Sequence, residues 1–391
     1  MLEPSGRLAS LPPYPFASLR EKINTLKASG VHVVSFGIGD PDMPTPLCAV
    51  DEMVRAANDV TDPDRFRYGD DMPVTDFDSE VCRFYQSYFG VTLEDNQILR
   101  TSGSKEAIVQ LAGAFLNPLD LGIVPDPGYP TYEIAQHMFG ANTYHMKLEP
   151  PYWLPDLGSI EGVICQKAKI LWLNYPNNPT TAVAGLDFFA EAVEFAKEHK
   201  LLVVHDAAYS LVNLGNIRQP SILEVLGASE VAVEIISHSK WFNMTGWRIG
   251  AAVGNPEVLS YLKRYKGNTD NGTPRFIQFA GARVLKEYRR ACEDICFVYG
   301  QRRDLVVGTL NSLGWSIEPP QATPYIWAPI PDGFSTSAEF CEHLVETAHV
   351  VLTPGSAFGA GGEGYFRMSL TYNDLEIEEG LDRIARAMKA G

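Results

Sequence analysis

The sequence predicts an α/β protein: a mostly parallel sheet covered by helices on both faces, followed by a smaller α+β unit. Two patterns carry that expectation. Between about residues 48 and 280, helical periods alternate with short apolar runs, as strand–helix–strand crossovers do. After about residue 285 the alternation stops, and one long helical period precedes scattered strands and two more helices. The chain has 391 residues and is 45% hydrophobic, enough for a large core and for more than one domain.

In chain order, the first 45 or so residues are Pro-rich and then amphipathic. A helix is expected at 16–26 and a short strand at 31–36, ending in Gly37-Ile38-Gly39-Asp40-Pro41. Apolar residues at three- and four-residue spacing predict helices at 47–57, 74–89, 105–116, 186–200 and 256–265. Apolar runs of strand length fall at 97–101, 123–125, 170–174, 201–205, 231–237 and 250–253. Their near-continuous apolarity fits strands buried on both faces. Downstream, a long helix is expected at 282–310, strands at 315–318, 325–329 and 365–370, and helices at 337–348 and 376–388.

Charge and cysteine usage narrow the partners. The net charge is −16 and no basic run occurs, which argues against nucleic acid and against an anionic membrane surface. No apolar run approaches the roughly 18 residues that span a bilayer. The N-terminus lacks a charged-then-apolar signal pattern. Six scattered cysteines form no disulfide framework or zinc pattern, so free thiols in a reducing, cytoplasmic setting are expected. No histidine cluster has metal-ligand spacing.

The most specific motif is Ser237-His-Ser239-Lys240-Trp-Phe-Asn-Met-Thr-Gly-Trp-Arg248-Ile-Gly250, directly after an apolar run. A lysine and an arginine eight residues apart, among hydroxyls and glycines, suit a ligand with an aldehyde at one end and a phosphate at the other. Pyridoxal 5'-phosphate (PLP) is the common biological example. Lys240 would hold the aldehyde as a Schiff base, and Arg248 would grip the phosphate as a permanently charged fork.

Open α/β sheets bind ligands beyond the carboxyl ends of their strands, and those ends carry matching groups here. The ring nitrogen of PLP must stay protonated for the ring to store electrons, so it needs a buried carboxylate, and Asp206 is the candidate. Asn178 and Tyr209 are candidates to donate to the phenolate oxygen. Gly103, Ser104 and Lys105 open a helix whose free N–H groups and hydroxyls suit a phosphate, facing Ser237, Ser239 and Arg248. Tyr129 offers an aromatic plate for the ring. Arg367 offers a bidentate clamp for a substrate α-carboxylate.

Each signal alone has a plainer reading. A lysine after a strand is usually solvated, Asp206 before Ala-Ala-Tyr reads as a helix cap, and Asn-Asn-Pro-Thr reads as a turn. The weight lies in their joint occurrence at successive strand ends. Two other matches fail. Gly359-Ala-Gly361-Gly-Glu-Gly364 fits G-x-G-x-x-G but precedes a strand instead of opening a helix. His205 adjoins Asp206, but strand neighbours point to opposite faces, so it reads as a packed or hydrogen-bonded structural histidine.

On these residues the chain resembles the class I/II aminotransferases, the fold-type I PLP enzymes, over nearly its whole length. Residues 11–16, 37–46, 124–130, 173–179, 353–359 and 362–367 resemble LL-diaminopimelate aminotransferases and their near relatives. The resemblance implies a large domain over 46–284 with a mostly parallel seven-stranded sheet. It implies a small α+β domain built from 1–45 and 285–391. It also implies a homodimer with shared active sites, in which Tyr68 reaches the neighbour's cofactor phosphate. Gly39 would place its N–H near the substrate carboxylate, beside Arg367 and Asn178, with Tyr14 on the substrate side.

Three departures stand out, and the first two would shape the substrate end of the pocket. Relatives carry a Tyr-Pro-x-Tyr-x-Gly-like turn where this chain has Tyr68-Gly69-Asp70-Asp71-Met72-Pro73. The loop at 267–275 departs from Asn-x-Asp-Ser-Gly, and Thr181 stands where glycine is usual. The expected function is amino-group transfer between an amino acid, of diaminopimelate type by resemblance, and a 2-oxo acid. Lys240 would act as general base and then acid, with Asp206 and Tyr209 supporting it. The alternative is a biosynthetic PLP enzyme that turns the same carbanion to β- or γ-elimination, replacement, carbon–carbon bond formation or oxidation. A DNA-binding PLP sensor would need a basic helix-turn-helix-like segment, and the sequence shows none.

Overall fold

The computed structural model of the protein describes residues 2–11, 15–69 and 76–390. Twelve strands are present among them: β1 Val34–Ser35, β2 Ile98–Thr101, β3 Leu121–Asp126, β4 Asn142–Lys147, β5 Ala168–Asn174, β6 Leu202–Asp206, β7 Ala232–Ser237, β8 Gly250–Gly254, β9 Tyr325–Pro329, β10 Val350–Val351, β11 Thr353–Pro354 and β12 Tyr365–Ser369. Seven form one sheet in the order β2-β8-β7-β6-β5-β3-β4. Only β8 runs against its neighbours. The carboxyl ends of β2, β3, β5, β6 and β7 therefore share one edge, and the amino end of β8 joins them there, with Gly250 opposite both Ser237 and Thr101.

Strands β6, β7 and β8 are almost wholly buried because helices cover both faces of the sheet. Ile170 and Trp172 of β5 pack with Ile108, Leu111 and Leu262 on one face. Leu171 and Leu173 pack with Phe188, Phe189 and Val193 on the other. The alternation is the period of two that a strand imposes on its side chains.

A second core surrounds the antiparallel sheet β11-β12-β9 and the parallel pair β1-β10. It joins Val34 and Phe36 from early in the chain to Tyr299, Leu310, Phe340, Leu344, Phe366 and Ile377. Ala208, Tyr209 and Val212, which follow β6, belong to this core as well, so it closes against the carboxyl edge of the large sheet.

The structure corrects several sequence expectations. Strand β4 went unpredicted because Asn142-Thr-Tyr-His-Met-Lys147 is polar and largely exposed, as an outermost strand can be. The helix Thr131–Met138 was also missed. Residues 315–318 are irregular, and the strand expected at 31–36 is two residues long. The helix expected at 282–310 is two helices, Arg275–Lys286 and Tyr288–Ser312, and no glycine or proline marks the break at Glu287. The helix expected at 74–89 is α-helical over Asp76–Phe84 and then widens to a π turn ending at Gly90, φ 73°.

Candidate active site

A cavity of about 320 Å³ lies at the shared strand edge, against the second core. It is lined by Gly39, Ser104, Lys105, Tyr129, Asn178, Asp206, Tyr209, Ser237, Ser239, Lys240, Arg248 and Arg367, so most of the residues singled out from sequence meet there. That volume sits at the lower end of the range usual for small-molecule sites.

Asp206 ends β6 and is 3% exposed. Its Oδ2 accepts from the Tyr132 hydroxyl at 2.9 Å and its Oδ1 from the Ala208 amide at 3.2 Å. Burial pushes its pKa up, and those two donors and the nearby His205 pull it back. Both hydrogen-bond donors are neutral, which leaves the carboxylate suited to a cationic ligand group. Tyr132 in turn stacks on Trp172, with ring centroids 5.4 Å apart.

Strand β7 runs straight into the short helix His238–Trp241, which carries Lys240. Lys240 Nζ donates to the Gly39 carbonyl at 2.6 Å. The chain then returns through residue 248, in the left-handed region at φ 55°, to enter β8. Because β8 is inverted, Arg248 lands on the same edge as Lys240. Its guanidinium donates to the Ser102 and Thr245 carbonyls at 2.8 and 2.9 Å.

Ser102 and Gly103 lead from β2 into the helix Ser104–Phe115. Gly103 has φ 84° and ψ 170°, which glycine alone adopts at ease, and a Cβ there would fall 2.8 Å from Arg248 Nη2. The helix N-terminus and Arg248 thus face one another across a gap only glycine leaves open, an arrangement suited to an anion.

Arg367, from β12, is 2% exposed. It donates to Asn178 Oδ1 at 2.7 Å and to the Gly37 carbonyl at 2.8 Å, and its guanidinium lies 4.2 Å from the Tyr325 ring centroid. Asn178 is held by Asn174, whose Oδ1 accepts its amide at 2.9 Å. Tyr209 and Tyr325 share a hydroxyl contact of 2.9 Å, and burial raises the Tyr209 pKa well above the usual phenol value. Tyr129 packs edge-on against Tyr132, centroids 5.7 Å apart.

Two predicted residues stand apart. Tyr68 is 66% exposed and does not line the cavity, and Tyr14 lies outside the described residues. Residues 70–73 of the first divergent segment are outside them too, but Gly69 is tied to the second segment, since Gln278 donates to the carbonyls of Gly69 and Thr273 at 3.1 and 2.7 Å. Thr181 has φ 64°, which explains glycine as the more comfortable residue at that position. Segment 359–364 forms tight 3-10 turns packed on Asp126 and opens no α-helix.

Sequence reasoning missed Tyr132, Asn174, Tyr325 and Thr245, all of which line the cavity. Asn174 was legible as the first residue of the Asn-Tyr-Pro-Asn-Asn-Pro run. Tyr132 was hidden with the unpredicted helix Thr131–Met138, and Tyr325 sits in a strand distant in sequence from the other groups.

A family model described as aminotransferase class I and II matches residues 31–384. The chain belongs to that family. This aminotransferase is 44% identical over 383 residues to the LL-diaminopimelate aminotransferase of Dehalococcoides mccartyi, covering 97% of this chain and 98% of that one. It is 42% identical over 389 residues to the LL-diaminopimelate aminotransferase of Moorella thermoacetica, covering 99% of each. Among solved structures, substrate-bound BacF from Bacillus subtilis superposes with a TM-score of 0.93 at 33% identity, covering 99% of this aminotransferase and 98% of that chain. Among the described residues, no group of three or more His, Cys, Asp and Glu is arranged to hold a metal, and no helix is long and apolar enough to cross a membrane.

Proposed function

We propose that this aminotransferase works with PLP on an amino acid of the diaminopimelate type and a 2-oxo acid. One observation carries the cofactor reading: a buried carboxylate with neutral donors only, Asp206, shares a cavity with Lys240 and with an anion cradle at Gly103–Ser104 and Arg248. The substrate class follows the names of the relatives. When bound, PLP supplies an electron sink for the bond that breaks at the substrate's Cα.

The chain's residues divide the remaining work. Lys240 would hold the cofactor's aldehyde as a Schiff base and, once free, would serve as general base and then acid for the substrate's Cα proton. Asp206 keeps the ring nitrogen protonated. Tyr209 and Asn178 donate to the ring oxygen, and Tyr129 covers a ring face. Ser104, Lys105, Ser237, Ser239 and Arg248 hold the phosphate. Arg367 turns its fork to the substrate carboxylate, beside the Gly39 N–H. In this reading residues 46–284 form the large domain, and 1–45 with 285–391 the small one. Two copies share their sites, with Tyr68 reaching across, and the six free cysteines fit a reducing cytoplasm.

The test is the fate of the cofactor. LL-diaminopimelate should convert the PLP form to pyridoxamine phosphate, and a 2-oxo acid should convert it back. Product formed with no need for a 2-oxo acid would overturn the proposal in favour of elimination, replacement or oxidation. Borohydride reduction should fix the cofactor on Lys240, and a label on another lysine would undo that assignment.

A further inference from the structure

Behind Asp206, on the opposite face of the sheet, lies a buried polar cluster that does not touch the cavity. His205 and Glu234 are cross-strand partners in β6 and β7, and both are 0% exposed. His205 Nδ1 lies 2.8 Å from Glu234 Oε2, and Nε2 lies 2.9 Å from the Tyr175 carbonyl oxygen. A carbonyl oxygen only accepts, so Nε2 carries a hydrogen. Glu234 meets three more donors: the Tyr85 and Ser221 hydroxyls on Oε1 at 2.5 and 2.8 Å, and the Ile222 amide on Oε2 at 3.1 Å. One hydrogen is shared between Oε2 and Nδ1; with three other donors already on Glu234, the carboxylate form satisfies the most lone pairs and leaves that hydrogen on Nδ1.

We propose that His205 is a buried imidazolium locked by Glu234, and that it is a positioning residue for the aminotransferase reaction, fixing both Asp206 and the loop that carries Asn178. The positioning role rests on the PLP reading above. One ring ties three strand ends together. It precedes Asp206 in β6, it is anchored to β7 through Glu234, and it holds the Tyr175 carbonyl where β5 turns into the Asn177-Asn178 loop. Asn174 closes the same bracket from the other side, donating to the Asp206 carbonyl at 2.8 Å and accepting from the Asn178 amide at 2.9 Å. Phe189 covers the imidazole, with centroids 4.7 Å apart, so water does not take over its partners. The ring's charge also favours the ionised form of Asp206.

The first measurement is ¹⁵N magnetic resonance of histidine-labelled protein without cofactor, with H205Q identifying the signal by its loss. Both ring nitrogens of His205 should carry hydrogen in the folded protein. A ring protonated on one nitrogen only would overturn the imidazolium. The second uses E234Q, whose amide can donate to Nδ1 and leave a neutral ring with its hydrogen on Nε2. E234Q should lower PLP affinity and kcat about tenfold each, as loss of a supporting contact behind a bound group does, with KM for the amino acid little changed. E234D, which keeps the charge, should retain the doubly protonated signal and most of the affinity. Wild-type affinity and kcat in E234Q would sink the positioning role. Failure of the wild-type protein to bind PLP would instead sink the cofactor reading and the role built on it, while the resonance still reports the ring. If E234Q does not fold, E234D and the wild-type spectrum still decide.

Discussion

Tyr132 sets how firmly Asp206 holds its negative charge. Burial raises the Asp206 pKa, and the Tyr132 hydroxyl is the largest effect opposing it. Y132F removes a hydrogen bond to a charged acceptor, worth roughly 1.5–3 kcal/mol. PLP affinity should fall about 10- to 100-fold. Since the ionised carboxylate is the form that holds a protonated ring nitrogen, the acidic limit of tight binding should move to higher pH, which cofactor titration across the acid range would show. His238 gives a second residue-scale effect. Burial lowers its pKa from 6.5 to about 4, although its Nε2 donates to the Gly281 carbonyl. Below about pH 6.5 the unfolded chain takes up a proton that the folded chain refuses, so this histidine's contribution is full above that pH and is lost as pH falls toward 4. The loss is roughly 3 kcal/mol in size. H238Q should flatten that part of the stability profile in urea unfolding at a series of pH values.

The element that would form the proposed phosphate cradle is the turn from β2 into the helix Ser104–Phe115. G103A forces a side chain into a glycine-only conformation, at a cost of about 1–3 kcal/mol, and pushes against Arg248. The variant should melt earlier and bind inorganic phosphate and PLP more weakly, and an unchanged phosphate affinity would contradict the cradle. This turn also shows what sequence could and could not yield. Ser-Gly-Ser before a helical period announces a helix N-terminus from local chemistry alone, and Asp206, Asn178 and Lys240 were legible because each ends or closely follows an apolar strand. The edge strand β4 was not legible, since its exposed residues need no apolar pattern. Tyr132 was lost because the helix it sits on has only eight residues, too few for a clear helical period although Pro130 and Gly140 flank it. Tyr325 was lost and Arg367 was not: both come from a separate sheet that only the second core brings to the cavity, but the arginine's fork points to a carboxylate by itself.

At the scale of the whole molecule, the second core reaches the site through the segment Gly37–Asp42, whose Gly37 and Gly39 carbonyls accept from Arg367 and Lys240. Arg302 anchors that segment: its guanidinium pairs with both oxygens of Asp42 at 2.8 and 2.9 Å, with Asp374 at 2.8 Å and with the Leu370 carbonyl at 3.0 Å. Removing one partner of an enclosed ion pair costs roughly 3–5 kcal/mol. Asp374 is well exposed, so R302M should destabilise by less, about 2 kcal/mol. It should also raise KM for the amino acid more than it lowers kcat, as steady-state kinetics beside a thermal melt would show, because what loosens is the segment packed beside Arg367, the proposed carboxylate clamp.

The stacking of Trp172 on Tyr132, and the placement of Trp241 directly after Lys240, have an optical consequence. Both indoles are fully buried, so their emission is shielded from solvent quenchers. Each lies within a residue or two of the cavity wall. A chromophore bound there that absorbs in the near ultraviolet would drain their excited states, and its colour change during turnover would alter how strongly. Intrinsic fluorescence thus gives the protein a built-in signal for occupancy and for each half of its reaction cycle, with no dye attached.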